Sequence, residues 1–220
     1  MKINFIGHSC FTIEEEDYSL IIDPFISGNP AAKVKVDDLK PTHILVSHAH
    51  GDHLGDAVEL AKKTKVKVYT TNELGGELRD EGVDAVSGHI GGKVKTEFGS
   101  IKYFQAFHGS GLSGGFACGF IIDMGGKKIY HAGDTGLTKD MELLADENID
   151  VAMLPIGDFY TMGPEDAGKA VKMIKPKYVI PMHYNTFPPI KQDPGAFANS
   201  VKQMTQIKPI VLNPGETFEL

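Results

Sequence analysis

The amino-acid sequence predicts an α/β fold in which two packed sheets carry helices on their outer faces. β-Favouring runs dominate the first third of the chain and the stretch from about 85 to 134, helices follow each β-rich segment, and the last third alternates between helices and strands. The 25 glycines and 12 prolines indicate many turns between short elements. Because no disordered linker and no fixed-period repeat divides the 220 residues, we expect one domain over 1–220.

The first third of the chain is predicted to contain short strands, two helices and one long loop. Proline cannot continue a strand ladder, so one run ends at Ile22-Asp23-Pro24. Residues 26–40 are polar and contain Gly28 and Pro30, which indicates a loop. The predicted elements are strands at 2–6, 10–15, 20–22, 43–47 and 66–70, and helices at 54–65 and 72–81, the second closed by Gly82.

Hairpins dominate the middle of the chain, and alternating elements follow. One hairpin is predicted over 94–107 with its turn at Gly99-Ser100, and a second over 118–130 with its turn at Gly125-Gly126. The glycine-rich residues 109–115 lie between them and are interpreted as a mobile flap. The last third is predicted to contain helices at 138–148, 164–175 and 195–207, strands at 151–156, 178–182 and 210–212, and a final short strand.

Composition makes several classes of protein unfavourable. The net charge is −7, from 29 acidic and 22 basic residues, and Arg79 is the one arginine, so nucleic acid is not the expected partner. No apolar run reaches the roughly 18 residues that a bilayer crossing needs. The amino-terminal residues alternate like a strand rather than a signal peptide, and Cys10 and Cys118 are too few for a disulfide scaffold. We therefore expect a cytoplasmic protein that does not contact membranes.

The motif His48-x-His50-x-Asp52-His53 places four potential metal ligands within six residues, directly after an apolar strand. Imidazole and carboxylate suit Zn²⁺, Fe²⁺ or Mn²⁺. A polar loop with chance histidines is improbable at this density. A structural zinc site would usually be rich in cysteine, and this cluster has none. The motif therefore indicates a metal site with chemical function.

Three more potential ligands follow apolar strands further along the chain. His108 follows 103–107, Asp134 follows 129–132, and His183 follows 179–182. Each alone would be as well explained as a satisfied core or loop group. Their repeated placement at strand ends, together with the first motif, predicts one shared site with more ligands than a single tetrahedral ion needs.

This order of motifs resembles the metallo-β-lactamase superfamily over nearly the whole chain. The resemblance rests on the HxHxDH motif, His108, the Gly133-Asp134-Thr135 triplet and His183. Further motifs resemble a narrower group, the metal-dependent hydrolases of bacteria and archaea related to ascorbate-6-phosphate lactonase. These motifs are Gly7-His8-Ser9, Leu154-Pro155-Ile156-Gly157-Asp158, Thr161-Met162-Gly163-Pro164-Glu165-Asp166-Ala167 and Met182-His183-Tyr184-Asn185-Thr186-Phe187-Pro188.

The resemblance implies a four-layer αβ/βα sandwich with two divalent metal ions at one edge of the sheets. Zinc is the expected metal, with manganese, iron or nickel as alternatives. Carried over by motif, the first ion is held by His48, His50 and His108, and the second by Asp52, His53 and His183. Asp134 would bridge both ions.

A dinuclear site of this kind predicts hydrolysis of a small ester, lactone or phosphoester. Two ions roughly 3.5–4 Å apart share a hydroxide that attacks a carbonyl carbon or phosphorus. Asp52 is a candidate proton shuttle, although a role as a plain ligand explains it equally well. His8 is a second catalytic candidate, either as a substrate donor or as a support for the ligands. His131 lies on the strand before Asp134, where support of a ligand and a structural role explain it equally well. The roles of Asp158, Thr161 and Asn185 stay open, because loop structure alone would also explain them. His43 and His89 have no supporting context.

Other functions fit the sequence less well. A phosphodiesterase or nuclease like ribonuclease Z has a similar ligand set, but the acidic charge and the lack of an inserted arm speak against it. A flavo-diiron protein would have a glutamate at His50, and a glyoxalase II a larger carboxyl-terminal region. A non-catalytic metal-binding protein is the alternative from another class. The expected partner is a small-molecule substrate, and a homo-oligomer is compatible with the sequence.

Overall fold

The computed structural model describes residues 1–220, and its strands form two mixed sheets of seven strands each. The first sheet contains β1 (Lys2–Gly7), β2 (Cys10–Glu15), β3 (Tyr18–Ile22), β4 (His43–Leu45), β5 (Lys67–Thr71), β6 (Ala85–Gly88) and β14 (Thr217–Glu219). Its strand order is β14-β1-β2-β3-β4-β5-β6. The last strand of the chain therefore pairs antiparallel with the first and completes the sheet of the amino-terminal segment.

The second sheet contains the remaining strands in the order β13-β12-β11-β10-β9-β8-β7. These strands are β7 (Lys93–Thr96), β8 (Gly99–Gln105), β9 (Cys118–Met124), β10 (Lys127–His131), β11 (Val151–Pro155), β12 (Tyr178–Met182) and β13 (Lys208–Pro209). The hairpin that joins β9 to β10 turns at Gly125 and Gly126, as predicted. Pro209 lacks an N–H group, and the predicted strand at 210–212 is replaced by the short edge strand β13.

Helices cover the outer faces of both sheets. They are α1 (Gly51–Leu54), α2 (Ala57–Thr64), α3 (Asn72–Asp80), α4 (Pro164–Ile174) and α5 (Pro194–Met204), with 3₁₀ helices at Val36–Asp38, Lys139–Glu147 and Pro188–Ile190. The element predicted as a helix over 138–148 is thus of the tighter 3₁₀ type. None of the helices has the length and apolar character that a bilayer crossing requires.

Strand alternation sorts the buried residues into two cores. Ile22 belongs to a cluster of 39 buried residues with members from both sheets and from α4 and α5. Its neighbour Ile21 belongs to a cluster of 15 that includes Leu60 of α2 and Leu78 of α3. Because adjacent residues of a strand point to opposite faces, the larger cluster fills the space between the sheets and the smaller one lies between the first sheet and helices α2 and α3. The larger cluster also continues through the second sheet to its outer face under α4 and α5. The layers are those of the predicted αβ/βα sandwich.

The helix predicted over 54–65 is broken in two. Gly55 has a φ of +45°, and a Cβ atom there would lie 2.4 Å from the carbonyl oxygen of Pro24. The N–H of Asp56 donates to the same oxygen at 2.9 Å, and its carboxylate accepts from the backbone N–H groups of Ile26 and Ser27. The loop after β3 therefore occupies the break between α1 and α2, and only glycine tolerates this close approach.

The turn between β7 and β8 also differs from the prediction. Thr96 pairs with Gly99, so the turn residues are Glu97 and Phe98 rather than Gly99 and Ser100. Gly99 is the first residue of β8. Only glycine fits there, because a Cβ atom would lie 2.1 Å from the carbonyl oxygen of Asp123 in the neighbouring strand. Phe98 is buried, and its ring packs edge-on against His43 of the first sheet.

Glu147 connects its 3₁₀ helix to two strands of the second sheet. It accepts hydrogen bonds from Lys102 of β8 at 2.7 Å and from Lys128 of β10 at 3.0 Å. These hydrogen bonds lower the pKa of Glu147 below its ordinary value of 4.5. A carboxylate with a lowered pKa stabilises the fold above its unfolded-state pKa, and this stabilisation is lost as the pH falls through the folded-state pKa.

We expect Glu147→Gln to lower the free energy of unfolding at neutral pH by about 1 kcal/mol or less, since the group is partly exposed. The difference from the parent protein should shrink as the pH falls below 4.5. Urea denaturation at neutral and at acidic pH measures both values. Glu59→Gln, on the exposed face of α2, is the control. If the difference in free energy of unfolding between the two proteins did not change with pH, an electrostatic origin of the stabilisation would be contradicted.

Candidate metal centre

The seven predicted ligands converge where the carboxyl ends of the strands meet. Strands β3 to β6 run parallel to one another, as do β10 to β12, so the loops that follow them emerge at one edge of each sheet. Strand β8 runs in the same direction as β10, because both pair antiparallel with β9, so its following loop emerges at the same edge. The predicted ligands lie in these loops or the first turn beyond them. They are His48, His50, Asp52 and His53 after β4, His108 after β8, Asp134 after β10 and His183 after β12.

Three imidazoles form the first cluster. Ring nitrogens of His48, His50 and His108 all lie within 4.8 Å of one another. The Nε2 atom of His48 and the Nδ1 atom of His50 are 3.0 Å apart. His48 is buried, whereas His50 and His108 are partly exposed. The cluster therefore combines a fixed inner nitrogen with two that face the surface, and it matches the ligand set implied for the first ion.

The second cluster combines Asp52, His53 and His183 with a fourth residue, His8. The Nε2 atom of His8 lies 3.1 Å from Oδ2 of Asp52, and its Nδ1 atom lies 2.9 Å from Oγ1 of Thr186. The His8 side chain is fully buried, whereas that of Asp52 is 29% exposed. His8 therefore supports Asp52 from behind, and of the two roles considered for it, the structure favours support over direct contact with substrate.

Burial lowers the pKa of His8 to about 4, although its hydrogen bond to Asp52 opposes the shift. Burial would raise the pKa of Asp52, but the hydrogen bond from His8 and the attraction of His53 lower it. At neutral pH this pair is therefore a neutral imidazole that holds an ionised carboxylate. An ionised Asp52 and a neutral His8 are the forms that suit metal ligation and its support.

Asp134 lies between the two clusters. Its Oδ1 atom is 3.2 Å from Nε2 of His53, and its Oδ2 atom is 3.1 Å from Nε2 of His183 and 3.6 Å from Nε2 of His108. It also forms a third compact group with His48 and His53. Both oxygens thus face the second cluster, and Oδ2 also faces the first, so Asp134 has a position that a bridging ligand would occupy.

Several buried atoms of this site have no hydrogen-bond partner. They are Nε2 of His53, Oδ1 of Asp134 and both ring nitrogens of His183. Leaving a buried polar atom unpaired costs about 1–3 kcal/mol, and native proteins rarely accept several in one place. Nitrogen and carboxylate oxygen are the donors that Zn²⁺ and related ions take. Two of them, Nε2 of His53 and Oδ1 of Asp134, lie 3.2 Å apart between the clusters, so the residues present fit a metal centre.

Asp23, which the sequence analysis treated only as the end of a strand, is part of the site. Its Oδ2 atom lies 2.7 Å from Nδ1 of His53 and accepts a hydrogen bond from the Ser47 hydroxyl, while Oδ1 accepts from the Ser47 N–H. The same hydroxyl lies 2.9 Å from Nδ1 of His48. Burial would raise the pKa of Asp23, but the attraction of His53 lowers it. Asp23 thus orients one ligand of each cluster.

A signal for Asp23 was present in the sequence. Ile22-Asp23 repeats the arrangement of an apolar strand followed by a ligand-type residue that identified His108, Asp134 and His183. Because Pro24 follows it, Asp23 was interpreted as the end of a strand and not as a residue of the site. The contacts of Asp23 depend on residues 24 and 30 positions away, which sequence spacing does not reveal.

The glycine-rich residues 109–115 lie beside the metal centre, as the flap prediction required. The carbonyl oxygen of Ser110 accepts a hydrogen bond from the N–H of Ala49 at 2.8 Å. A Cβ atom at Gly111 would lie 3.0 Å from the ring of His50, so this loop packs directly on a ligand. Its mobility stays a prediction.

The other residues whose roles the sequence left open lie in the core or in loops, outside the candidate metal centre. His131 is buried, with Nε2 2.9 Å from the carbonyl oxygen of Ser9. Asp158 and Asn185 adopt left-handed backbone conformations, and the carboxamide of Asn185 accepts from the N–H of Gln192. Thr161 donates its hydroxyl to the neighbouring Met162 carbonyl. None of these four belongs to the clusters of potential ligands.

A cleft of about 320 Å³ opens onto the metal centre. Its lining contains no lysine or arginine. The lining residues are His50, Asp52, His108, Asp134, Tyr160, His183, Phe187 and Pro189. A small molecule that enters this cleft therefore meets one ligand or more of each cluster.

Comparison with known proteins identifies the family. The family profile described as a beta-lactamase superfamily domain matches residues 2–183. A UPF0173 metal-dependent hydrolase from Symbiobacterium thermophilum is 52% identical over 224 residues, and the match covers 100% of both chains. The chain belongs to the UPF0173 metal-dependent hydrolases. This result confirms the resemblance inferred from the motifs.

Other UPF0173 metal-dependent hydrolases and a solved structure agree with this assignment. A relative from Thermus thermophilus is 43% identical over 224 residues, covering 100% of this chain and 99% of the relative. The structure of a metallo hydrolase from the archaeon Ignicoccus hospitalis has a TM-score of 0.93 and 38% sequence identity, covering 100% of this chain and 98% of that one. As a member of this family, the protein is a metal-dependent hydrolase with the metallo-β-lactamase fold.

Proposed function

We propose that this enzyme hydrolyses a small ester, lactone or phosphoester with two divalent ions, for which zinc is the expected metal. The observation that carries the proposal is the pair of ligand clusters with Asp134 between them and unpaired buried atoms at their junction. His48, His50 and His108 would hold one ion, and Asp52, His53 and His183 the other. Asp134 would contact both.

Two ions held in this way would lower the pKa of a water molecule enough for attack near neutral pH and would neutralise the oxyanion that develops. The residues of the chain supply positioning and proton transfer. Asp52 is ionised and reaches the cleft, so it can accept a proton from the attacking water and return it to the leaving oxygen. His8, fixed by Thr186, holds the Asp52 carboxylate in place. His8 is thus a positioning residue.

A small-molecule substrate is favoured over nucleic acid. The metal cleft has no lysine or arginine in its lining, and Arg79 hydrogen-bonds the Ala85 carbonyl and the Ser87 hydroxyl on the first sheet. Nucleic-acid binding depends on cationic side chains that contact phosphates. A ribonuclease-like activity therefore has little support beyond the shared ligand set. A purely structural metal site is disfavoured because the ligands line an open cleft.

Asp52→Asn tests the role of the carboxylate. We expect turnover to fall about 100-fold or more, in the range typical of lost acid–base catalysis. Occupancy of the first ion should change less, because His48, His50 and His108 remain. Metal analysis and steady-state kinetics on p-nitrophenyl acetate, with a chelated sample as control, measure both quantities. Undiminished turnover at full metal occupancy would exclude a role for the Asp52 carboxylate in catalysis.

The pH–rate profile of the unchanged enzyme provides a companion measurement. Activity should rise with pH and then level off, because the attacking water must ionise and because protons compete with metal for the histidine ligands at low pH. Metal content is measured at each pH to separate the two effects. A flat profile at constant occupancy would contradict the proposal.

A further inference from the structure

A second, apolar groove of about 680 Å³ lies next to the metal cleft. Its apolar walls are formed by Ile90, Ala106, Phe107, Phe116 and Ala117, and its polar lining includes His89 and Gln105. The groove and the metal cleft share His108. His108, a member of the first cluster, therefore borders both spaces.

Large aromatic side chains are unusually exposed around this groove. The side chains of Phe107 and Phe116 are 70% and 59% exposed. The backbone of Phe107 is fixed, because its N–H donates to the Thr135 hydroxyl at 2.9 Å and its carbonyl oxygen accepts from the Gly136 N–H at 3.1 Å. The chain thus holds an apolar ring in solvent beside a catalytic cleft, which is typical of a surface that binds an apolar ligand.

The charged side chains around the groove and the cleft indicate which class of ligand can bind. No lysine or arginine lines either the groove or the cleft. A phosphate or carboxylate placed in the groove would find no fixed cation from the chain to offset its desolvation. The groove therefore suits an uncharged apolar group, and the metal centre remains the place for the polar, reacting group.

We propose that the groove binds the alkyl or aryl arm of a neutral carboxylic ester or lactone whose carbonyl group lies in the metal cleft. The proposal rests on the hydrolytic function above and selects one of its substrate classes. In the reaction, water adds to the carbonyl carbon, the bond from that carbon to the leaving oxygen breaks, and the leaving oxygen takes up a proton. The products are a carboxylic acid and an alcohol, or a hydroxy acid from a lactone.

The test compares substrates with the same leaving group. The metal-loaded enzyme is assayed with p-nitrophenyl acetate, butanoate and octanoate, and with the octanoate analogue that ends in a carboxylate. We expect kcat/KM to be about tenfold or more higher for the octanoate than for the acetate, because methylene groups in an apolar site favour the longer chain. The carboxylate-ended analogue should lose most of this gain.

Two variants connect this preference to the groove. Phe116→Ala and Ile90→Ala should each reduce the octanoate-to-acetate ratio of kcat/KM by about threefold or more. Met204→Ala, which removes a partly exposed apolar side chain from α5, is the matched control and should leave the ratio unchanged. Two independent groove variants keep the test decisive if one of them folds poorly.

The outcomes separate this proposal from the hydrolytic function on which it rests. If the metal-loaded enzyme cleaves no ester, lactone or phosphodiester, the proposed function fails. If it cleaves esters with no dependence on chain length, or accepts the carboxylate-ended analogue equally well, the groove proposal alone is overturned. If Phe116→Ala dissociates an oligomer in sedimentation experiments and leaves the ratio intact, the groove is a subunit interface and the proposal is likewise overturned.

Discussion

Replacement of His50 by alanine should lower metal content and hydrolytic activity together. We expect the parent protein to bind about two ions per chain after loading with excess zinc or manganese, and the variant to bind about one. The reason is that the first cluster loses one of its three imidazoles, whereas the second cluster keeps all its members. Activity should fall by more than about 100-fold, since even loss of a group that only supports a ligand costs 10–100-fold.

Elemental analysis after loading and removal of free metal gives the stoichiometry. His89→Ala is the histidine-matched control for metal content, because His89 is exposed and belongs to none of the ligand clusters. A parent protein that still carries no metal after loading would contradict the two-ion proposal. A His50 variant with undiminished metal content would exclude His50 as a ligand.

Asp23→Ala should destabilise the protein and weaken metal binding at the same time. Asp23 is completely buried, and its removal leaves the Ser47 N–H, the Ser47 hydroxyl and Nδ1 of His53 without their acceptor. Breaking a buried charged network of this kind typically costs about 3–5 kcal/mol. Metal affinity should fall about 10–100-fold, because His53 loses the hydrogen bond that orients it and the Ser47 hydroxyl that contacts His48 loses its acceptor.

Two measurements distinguish these effects. Urea denaturation of the metal-free variant reports the cost to the fold, and a metal titration reports the cost to the site. Asp23→Asn is the informative companion, because asparagine tolerates the left-handed backbone at this position, where φ is 47°, and removes only the charge. Asp17→Ala, in an exposed turn, is the control. Unchanged metal affinity in the asparagine variant would show that the charge of Asp23 is not needed, and unchanged affinity in the alanine variant would show that Asp23 acts on the fold alone.

Local patterns predicted two packed sheets with outer helices and one shared site, whereas the four-layer sandwich and the division of the ligands into two sets followed from the family resemblance. Alternating apolar residues identified the strands, and His108, Asp134 and His183 each follow such a strand directly. Their repeated placement after strands predicted one shared site. The parallel strands of the structure explain why these residues converge, because the carboxyl ends of parallel strands lie at one edge of a sheet.

The predictions that failed depend on contacts between distant segments. The break at Gly55 is caused by the carbonyl oxygen of Pro24, and the turn before Gly99 is fixed by the approach of Asp123. Asp23 was missed because its partners are Ser47 and His53. In each case the deciding atom belongs to another element of the fold, and for Asp23 the position after an apolar strand was the one local signal.

Hydrogen bonds between the two ends of the chain join the first sheet to the second and influence the order in which the protein folds. His8 is held by Thr186, 178 positions away, and the N–H of His183 donates to the carbonyl oxygen of His8 at 2.7 Å. Contacts of such long sequence separation form slowly, because a large loop must close before they provide any stabilisation. The second cluster draws His8, Asp52 and His53 from the amino-terminal half of the chain and His183 from the carboxyl-terminal half, so neither half carries it complete. Retention of a second ion should therefore begin only after the two halves have docked.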